Sequence, residues 1–512
     1  FSADSTAVFS LQSPDVGVQP LTLEYTLPDV DGNPSSTTLI QSVNLRVQPS
    51  ELRLLSVRNS DGDELATDGS VTASANAPVF TRAGEPFRLE VQALNALGNP
   101  TPNFARTATL PDINWGALTT RVAPADVAAQ GTLSGGDGSS TPGSAWEPYE
   151  QPAGTPDTST LTLAPGLGLS YSDLGVLDLQ GRIDSYLGRP GSPDMTVDSN
   201  SVRVGRFIPA YLRITQDNPA TWGSTPYRYQ GQASVLSSIP LRVEAFDVND
   251  NPVFNYDGDF FKLALNTDDL FQKPPGLENT GGDLTYDPVT WALSDINDYN
   301  GEVTLTLSQT GLTWPRAAIG PTENDTPHVL NQLIIAAGKL NDGEACHGDI
   351  TQCDDLALNL GAVSLYYARL NAERQVSTQE VAELPVWVEV LDDFDSSTTP
   401  GIVSFIPFTS DNETSTTEIS GLTFQGVCEP GGLNCAGVAN SADGTLVVLD
   451  EGAGTFMAES TTPGIVGVLV DVPNWLTWDW DIGVGMTGPP STLYFGLYQG
   501  RSPLLFQQDG FR

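Results

Sequence analysis

Apolar and polar residues alternate along much of the chain, and one such pattern occurs twice. Residues 87–104 (FRLEVQALNALGNPTPNF) and residues 239–256 (IPLRVEAFDVNDNPVFNY) align without a gap. In both copies the alternation predicts a half-buried strand, the Asn-Pro pair predicts a turn, and the aromatic residue after it predicts the next strand. A repeat of this kind indicates β-domains in tandem and not one catalytic globule. The matched positions are Leu89 with Leu241, Val91 with Val243, Ala93 with Ala245, Asn99 with Asn251, Pro100 with Pro252, Asn103 with Asn255, and Phe104 with Tyr256.

The segments that precede the two copies also resemble each other. Arg46-Val47 leads through Pro49 into the pattern at Leu52, and Arg203-Val204 leads through Pro209 into the pattern at Leu212. Proline has a fixed φ and no N–H for a sheet, so it is typical of a stiff link between domains. These links predict domain boundaries near residues 50 and 205.

The remaining boundaries follow from where the strand patterns begin and end. We expect residues 1–49 to be the end of an N-terminal β-domain and residues 50–204 to form a first sandwich with a Gly/Ser/Pro-rich insertion near 130–160. A second sandwich is predicted over 205–337. Residues 338–512 match neither repeat and are predicted to form a distinct C-terminal β-domain. The predicted fold class is therefore all-β: tandem immunoglobulin-like β-sandwiches with a distinct C-terminal β-domain, in an elongated chain.

The net charge of the chain argues against two classes of binding partner. The chain carries 22 Lys and Arg against 63 Asp and Glu, a net charge of −41. Such a charge repels nucleic acid and anionic lipid, so neither is expected as a partner. We also expect no membrane span, because no apolar stretch approaches the length that a bilayer requires. Solubility in a salty medium explains the acidity, and binding of divalent cations by some Asp clusters is the alternative.

The four cysteines form two pairs with the same spacing. Cys346 and Cys353 enclose one polar loop, and Cys428 and Cys435 enclose another. Two local disulfides explain this spacing and predict an oxidising compartment outside the cytoplasm. A Cys₄ zinc site is the alternative, although zinc ligands are usually spaced more closely.

One acidic segment has the residue types of a calcium site. Asp247, Asn249, Asp250 and Asn251 provide carboxylate and amide oxygens over five positions, as in the calcium linkers of cadherins. The corresponding segment 95–99 (NALGN) has no carboxylate, and a β-turn explains both copies without a metal. Both hypotheses, calcium and a plain turn, remain open at this point.

Few residues of the sequence suggest a catalytic or ligand-binding site. His328 and His347 are the only two histidines, and the sequence contains no recognisable nucleophile, phosphate-binding or metalloprotease motif, so we do not expect an enzyme. Trp475, Trp478 and Trp480 lie close together near the C-terminus. On a strand, Trp478 and Trp480 would share one face, where they could stack against a sugar ring or pack in a core.

Several separate blocks, in order, resemble one family. They are YSDLGVLDLQGRIDSYLG (171–188), VGRFIPAYLRI (204–214), NPVFNYDG (251–258), WLTWDWDIG (475–483) and STLYFGLYQGRSPLLF (491–506). Together they resemble the large C-terminal region of MshQ-like proteins, which are encoded with MSHA-type type IV pili. The family typically carries a lectin-like domain upstream, which this chain does not contain. The resemblance implies a surface location and pilins or other surface proteins as partners, but no active site.

The expected function is therefore structural or adhesive. We expect a non-enzymatic extracellular stalk or scaffold, exported through the periplasm and associated with a type IV pilus or a cell-surface fibre, with self-association into a fibre as one form of assembly. The alternative is a carbohydrate-binding module of a secreted polysaccharide-active protein, with glycans as ligands and the tryptophans at 475–480 or the 130–160 loop at the site.

Overall fold

The fold is described from a computed structural model. It describes residues 10–66, 69–106, 110, 112–125, 131–135, 146–150, 156–163, 168–188, 196–274, 277, 284–316, 321, 325–395, 397, 402–412, 414, 419, 421–429, 438–440, 450–480 and 485–496. These residues form 32 strands, and the helices among them are short 3-10 segments: Phe104–Arg106, Tyr186–Gly188, Gly258–Phe260, Ala337–Lys339 and Asn474–Leu476.

The chain begins with a two-stranded ribbon. Strand β1 (Gly17–Pro28) pairs antiparallel with β2 (Pro34–Val47), and the two strands form a sheet of their own. A turn between them is closed by Asp29, whose carboxylate accepts hydrogen bonds from the backbone N–H groups of Asp31 and Asn33 at 2.9 Å each.

The first module contains twelve strands. Its two main sheets have the orders β3-β5-β9-β8 and β4-β14-β11-β6, and two small pairs, β7 with β10 and β12 with β13, are added to them. Inward-facing residues of both main sheets, such as Leu54, Val91 and Val204, share one core. The strands are β3 (Glu51–Arg58), β4 (Thr81–Arg82), β5 (Arg88–Leu94), β6 (Thr120–Ala123), β7 (Leu133–Gly135), β8 (Trp146–Glu150), β9 (Pro156–Leu163), β10 (Leu169–Tyr171), β11 (Gly175–Leu179), β12 (Arg182–Ile183), β13 (Val197–Asp198) and β14 (Val202–Ile208).

The second module contains nine strands in two sheets. Their orders are β15-β17-β21-β20, with β18 attached to β17, and β16-β23-β22-β19. Residues from both sheets, among them Val243, Leu305 and Leu358, are buried in a second core. The strands are β15 (Tyr211–Gln216), β16 (Tyr227–Tyr229), β17 (Ala233–Phe246), β18 (Pro252–Val253), β19 (Phe271–Gln272), β20 (Thr290–Ser294), β21 (Glu302–Thr313), β22 (His328–Ile335) and β23 (Leu356–Tyr366).

The third module also contains nine strands in two sheets. Their orders are β24-β26-β30-β29, with β27 attached to β26, and β25-β32-β31-β28. A third core includes Leu370, Val388 and Val468. The strands are β24 (Ala368–Ala372), β25 (Gln375–Ser377), β26 (Val381–Asp395), β27 (Ile402–Pro407), β28 (Gly421–Glu429), β29 (Val438–Asn440), β30 (Ala453–Ser460), β31 (Gly464–Asp471) and β32 (Pro490–Phe495).

All three modules share one topology. Lettered by position in the chain, the first sheet of each has the order A-B-E-D and the second contains C, F and G, which is the immunoglobulin arrangement. A short A′ strand pairs parallel with the last strand in each module. The predicted tandem β-sandwiches are therefore confirmed, and the two repeated segments lie in separate cores as the B strands of two modules.

The C-terminal module repeats the plan of the other two. Its first pairing, Ala368 with Val390, corresponds to Leu52 with Ala93 and to Leu212 with Ala245. The sequence of this region does not visibly match the repeats, because the similarity is confined to one strand and is interrupted by unrelated loops.

The boundary between the second and third modules differs from the one expected near residue 337. Strand β22, before that position, pairs with β23, after it, and Leu358 and Leu365 of β23 are buried in the second core. The second module therefore continues to Tyr366. A connection of twenty residues between β22 and β23 obscured this pairing in the sequence.

The first predicted disulfide lies in that connection. Cys346 and Cys353 are bonded, with their Cα atoms 5.6 Å apart. The loop is attached to β15, because the N–H of Leu212 donates to the carbonyl of Cys346 at 2.8 Å and the N–H of Gly348 donates to the carbonyl of Leu212 at 3.0 Å. This disulfide thus belongs to the second module and not to the C-terminal domain, where we had expected it. The second pair, Cys428 with Cys435, involves residues whose side chains lie outside the described part of the chain.

The revised boundary can be tested by truncating one side chain of β23. We expect Leu358→Ala to destabilise the second module by about 2–5 kcal/mol, because it leaves a cavity in that core. Ala357→Ser, on the exposed side of the same strand, should have little effect. Hydrogen exchange should show faster exchange of the β17 amides in Leu358→Ala. Faster amide exchange in β26, together with unchanged amide exchange in β17, would assign β23 to the third module instead.

Candidate functional site

The most extensive group of buried charges lies between the first and second modules. Arg206, on β14 of the first module, forms two hydrogen bonds of 2.6 Å with the carboxylate of Glu344 of the second module. Its Nε donates to the carbonyl of Ala77 at 2.8 Å. The Arg206 side chain is only 6% exposed and that of Glu344 is 19% exposed. A bidentate pair with this burial fixes the orientation of both side chains.

Glu344 is held in place from the second module. It lies two residues before Cys346 in the disulfide-closed connection, and Lys262 contributes a second cation at 3.2 Å from its carboxylate. Hydrogen bonding to Arg206, followed in importance by the charges of Arg206 and Lys262, lowers the pKa of Glu344. The carboxylate is therefore ionised at neutral pH.

Asp173 forms the second contact across this junction. One of its carboxylate oxygens accepts hydrogen bonds from the N–H of Leu174 at 2.8 Å, of Phe254 at 3.1 Å and of Asn255 at 3.0 Å. The last two donors belong to the second module, and the side chain of Asn255 donates in return to the carbonyl of Leu174 at 3.2 Å. Burial raises the pKa of Asp173 to about 6 despite these hydrogen bonds.

The backbones of the first and second modules also approach each other closely at Gly84. The N–H of Val248 donates to the carbonyl of Ala83 at 3.0 Å, which joins the A′ region of the first module to the turn after β17. Gly84 has φ +77°, and a Cβ there would lie 2.8 Å from Asn249 and 2.9 Å from Asp247. Glycine is required at this position both for its conformation and for the space.

The junction between the second and third modules is mainly aromatic. Tyr229 of β16 stacks on Trp475 with ring centroids 5.0 Å apart and planes 10° apart, and Tyr227 packs edge-on against Phe408 at 5.0 Å. Tyr227 and Tyr229 are part of the third module's core. Trp475, for which sugar binding and core packing were both open, is thus buried between two modules.

A buried arginine adds a polar contact to this junction. Arg316 donates to the carbonyl of Thr477 at 2.8 Å, and its guanidinium lies 3.6 Å from the centroid of the Tyr367 ring. Burial lowers the pKa of Arg316 to about 10. Tyr367 is the single residue between β23 and β24, so the contact is made at the link itself.

The other two candidate sugar-binding tryptophans surround an arginine of the third module. The guanidinium carbon of Arg369 lies 5.3 Å from the ring of Trp478, 4.8 Å from that of Trp480 and 3.9 Å from that of Phe405. Glu389 pairs with Arg369 at 2.7 Å. The ring faces of Trp478 and Trp480 that point toward Arg369 are therefore covered by its guanidinium. The binding of glycans to these tryptophans stays a prediction.

The candidate calcium residues form a turn closed by one carboxylate. Asp247 accepts hydrogen bonds from the N–H of Asn249 at 2.8 Å, the N–H of Asn251 at 2.9 Å and the side chain of Asn251 at 3.2 Å. Asp250 is at φ +63°, accepts a hydrogen bond from the hydroxyl of Tyr211 and pairs with Arg213 at 3.0 Å. The acidic oxygens of this segment thus already accept hydrogen bonds from protein groups.

The first module builds the same turn without a carboxylate. Asn95 accepts hydrogen bonds from the N–H of Leu97 at 2.9 Å and of Asn99 at 3.1 Å, and Gly98 is at φ +79°. Among the described residues, no three or more His, Cys, Asp or Glu side chains are grouped so as to hold a metal ion. The turn hypothesis accounts for both copies, and calcium stays a prediction.

Both histidines have structural roles. His347 accepts a hydrogen bond from the N–H of Ile214 at 3.0 Å, and His328 packs on Trp314 with ring centroids 5.4 Å apart. Burial lowers the pKa of both imidazoles. The helices of the described chain are three-residue segments, so none of them could cross a bilayer.

The residues that join the modules could not be identified from the sequence. Arg206, Glu344, Asp173 and Arg316 were not singled out, because their partners are far away in sequence. The scarcity of basic residues was one available signal, since in so acidic a chain an arginine beside a predicted link is a candidate for a structural ion pair.

Two protein-family models match the chain. Residues 49–154 match the second domain of DUF6701, and residues 173–355 match the third domain. The match over residues 173–355 contains Asp173, Arg206 and Glu344. It therefore includes both sides of the junction between the first and second modules. Among curated proteins, no sequence matches.

Two solved structures are similar only in part. The cadherin-like domains 1 to 4 of zebrafish RET are 11% identical, with a TM-score of 0.25 and with 96% of this chain and 85% of that chain covered. Escherichia coli alpha-2-macroglobulin activated by porcine elastase is also 11% identical, with a TM-score of 0.12 and with 93% and 35% covered. The family matches are therefore the informative comparison: the chain carries the second and third domains of the DUF6701 family.

Proposed function

We propose that this protein is a non-enzymatic structural or adhesive protein outside the cytoplasm, a stalk or scaffold associated with a type IV pilus or another cell-surface fibre. The observation that carries the proposal is the junction between the first two modules. Buried charges and backbone hydrogen bonds that cross from one module to the other hold two sandwiches in one orientation. A scaffold requires such joints, because load and spacing are transmitted through them.

Two further features support an extracytoplasmic scaffold. The bonded pair Cys346–Cys353 is compatible with export to an oxidising compartment. The disulfide lies in the same connection as Glu344, with Cys346 two residues after it. The resemblance to MshQ-like proteins supplies the pilus as the proposed assembly.

The non-enzymatic part of the proposal follows from what the potential catalytic groups do. Each histidine is engaged in packing or in a backbone hydrogen bond. Asp173, whose raised pKa would suit an acid or base, directs one oxygen at three backbone N–H groups within a closed interface. The proposal assigns no metal, since the oxygens of Asp247 hold the turn after β17.

Removing one partner of the buried pair tests the scaffold proposal. We expect Arg206→Ala to reduce the free energy of unfolding by about 3–5 kcal/mol, because Glu344 is left in the interface with only Lys262 as a partner. Arg203→Ala is the matched control: it lies on the same strand and removes a pair with Asp178 that is about one-third exposed, which should cost less than about 1 kcal/mol. Denaturant unfolding gives both values, and small-angle scattering of the folded proteins reports the relative positions of the modules.

Scattering should show a broader set of conformations for Arg206→Ala than for Arg203→Ala. Equal losses of stability in the two variants, with unchanged scattering, would mean that the pair does not hold the modules and would remove the main support for a rigid scaffold.

Asp173 should make the junction sensitive to pH. Its pKa rises from 3.8 in a free carboxyl to about 6 in the fold, so the folded state binds the proton more tightly than the unfolded state. The stabilising contribution of Asp173 to the free energy of unfolding is therefore fully present below about pH 4 and is lost as pH rises through 6. The loss is on the order of 2–3 kcal/mol. Asp173→Asn keeps an oxygen acceptor without the charge and should abolish this component.

The measurement is unfolding of both proteins between pH 4 and pH 7.5, with the difference between the two curves isolating Asp173. We expect Asp173→Asn to gain stability relative to the parent protein as pH rises. Parallel curves over the whole range would show that the carboxylate is not desolvated at the junction.

The proposed location has its own test. Protease added to intact cells should digest the chain, and pili sheared from the surface should carry it with them. Recovery of an undigested chain in the cytoplasm, with sheared pili free of it, would contradict the proposed assembly while leaving the description of the junction intact.

A further inference from the structure

The two faces of the N-terminal ribbon differ in their share of apolar residues. Cross-strand pairs such as Leu21 with Val43 and Tyr25 with Leu39 lie on the first face, and pairs such as Thr22 with Ser42 and Thr26 with Thr38 lie on the second. On the polar face the hydroxyls of Thr22 and Ser42 are 3.1 Å apart. The first face, here called the apolar face, is formed by Leu21, Leu23, Tyr25, Leu39, Val43 and Leu45 together with Gln19 and Gln41, and the second face also carries Val18 and Ile40.

This apolar face is open to solvent. Leu23 is 42% exposed, Leu39 56% and Val43 44%. A two-stranded ribbon is marginally stable alone, and a contiguous exposed apolar surface marks an interaction site. The base of the ribbon is anchored, since Val16 is buried in the first core and Arg46 donates to the carbonyl of Leu187 at 3.1 Å.

The ribbon corresponds to the F and G strands of a module. In each of the three modules F and G are antiparallel, and in the first two modules G continues through a short link into the A strand of the next module. Strand β2 likewise ends at Val47 and leads into β3 at Glu51, as β23 leads into β24. In the second module the equivalent inward face, which includes Leu358 and Leu365, is covered by strands such as β17.

We propose that the ribbon is the F–G pair of a fourth sandwich and that its apolar face binds the other strands of that sandwich, supplied by the same polypeptide ahead of residue 17. The family match supports this occupant, because the second domain of DUF6701 begins at residue 49, just after β2, and leaves the ribbon in the position of the first domain. The topology fixes the pairing. An A′ strand joins β2 in parallel, a C strand joins β1 antiparallel, and an A-B-E-D sheet covers Leu23, Tyr25 and Leu39.

Cysteine labelling tests this proposal on both faces of the ribbon. Leu23→Cys places a thiol on the apolar face, and Ser42→Cys places one on the polar face as the matched control. Each substitution is made in the 512-residue chain and in a longer polypeptide that carries the first domain. The labelling rate with a water-soluble maleimide is then measured as a function of protein concentration.

In the 512-residue chain both thiols should react rapidly. In the longer polypeptide the rate at position 23 should fall about a hundredfold, because labelling then requires opening of a folded module, while the rate at position 42 stays within about threefold. Equal rates at position 23 in the two proteins would overturn the proposal. Protection of position 23 in the 512-residue chain that grows with its concentration would also overturn it, because a second copy of the chain would then be the occupant.

Discussion

The arrangement of the first two modules depends on buried polar groups that form hydrogen bonds and an ion pair across the boundary between them. Arg206 and Glu344 are on different sandwiches, and neither has another ionic partner of equal geometry in the described chain. Separating the modules would either expose an apolar surface that includes Ala83 and Leu174 or leave a charge without its partner. Both outcomes are costly, so the interface favours one relative orientation over a range of them. Specific orientation is the property that a row of sandwiches needs in order to act as a scaffold.

The two junctions achieve this by different chemistry. The first uses an ion pair, a buried carboxylate and a backbone hydrogen bond from Val248 to Ala83. The second stacks Tyr229 on Trp475 and places Arg316 against Tyr367. Aromatic packing depends little on pH, whereas the carboxylate of Asp173 titrates near pH 6. The two joints of the described chain are therefore expected to respond differently to the acidity of the medium.

Much of the fold could be predicted from the sequence, since alternation and the duplicated turn give the strands and the tandem sandwiches. The local pair Cys346–Cys353 was also predictable from spacing. The third module was not recognised, although LPVWVEV (384–390) occupies the same register as IPLRVEA (239–245) and shares its Pro, Val and Glu. One strand of seven residues is too short to stand out when the loops around it have diverged. The junction residues could not be predicted, because their burial and pairing arise only when distant modules meet. The same limit applied to Trp475, because its sequence context is compatible both with a sugar-binding platform and with the buried position that the structure gives it.

The central claim, that the first two modules have one fixed relative orientation, is tested most directly by a distance distribution between them. Spin labels at Arg88→Cys on the first module and Ala357→Cys on the second are both on exposed strand positions, and pulsed electron paramagnetic resonance measures their separation. The account predicts a single peak no wider than that of a control pair placed within the second module. A distribution that is broad compared with the control pair would show that the modules move independently and would contradict it.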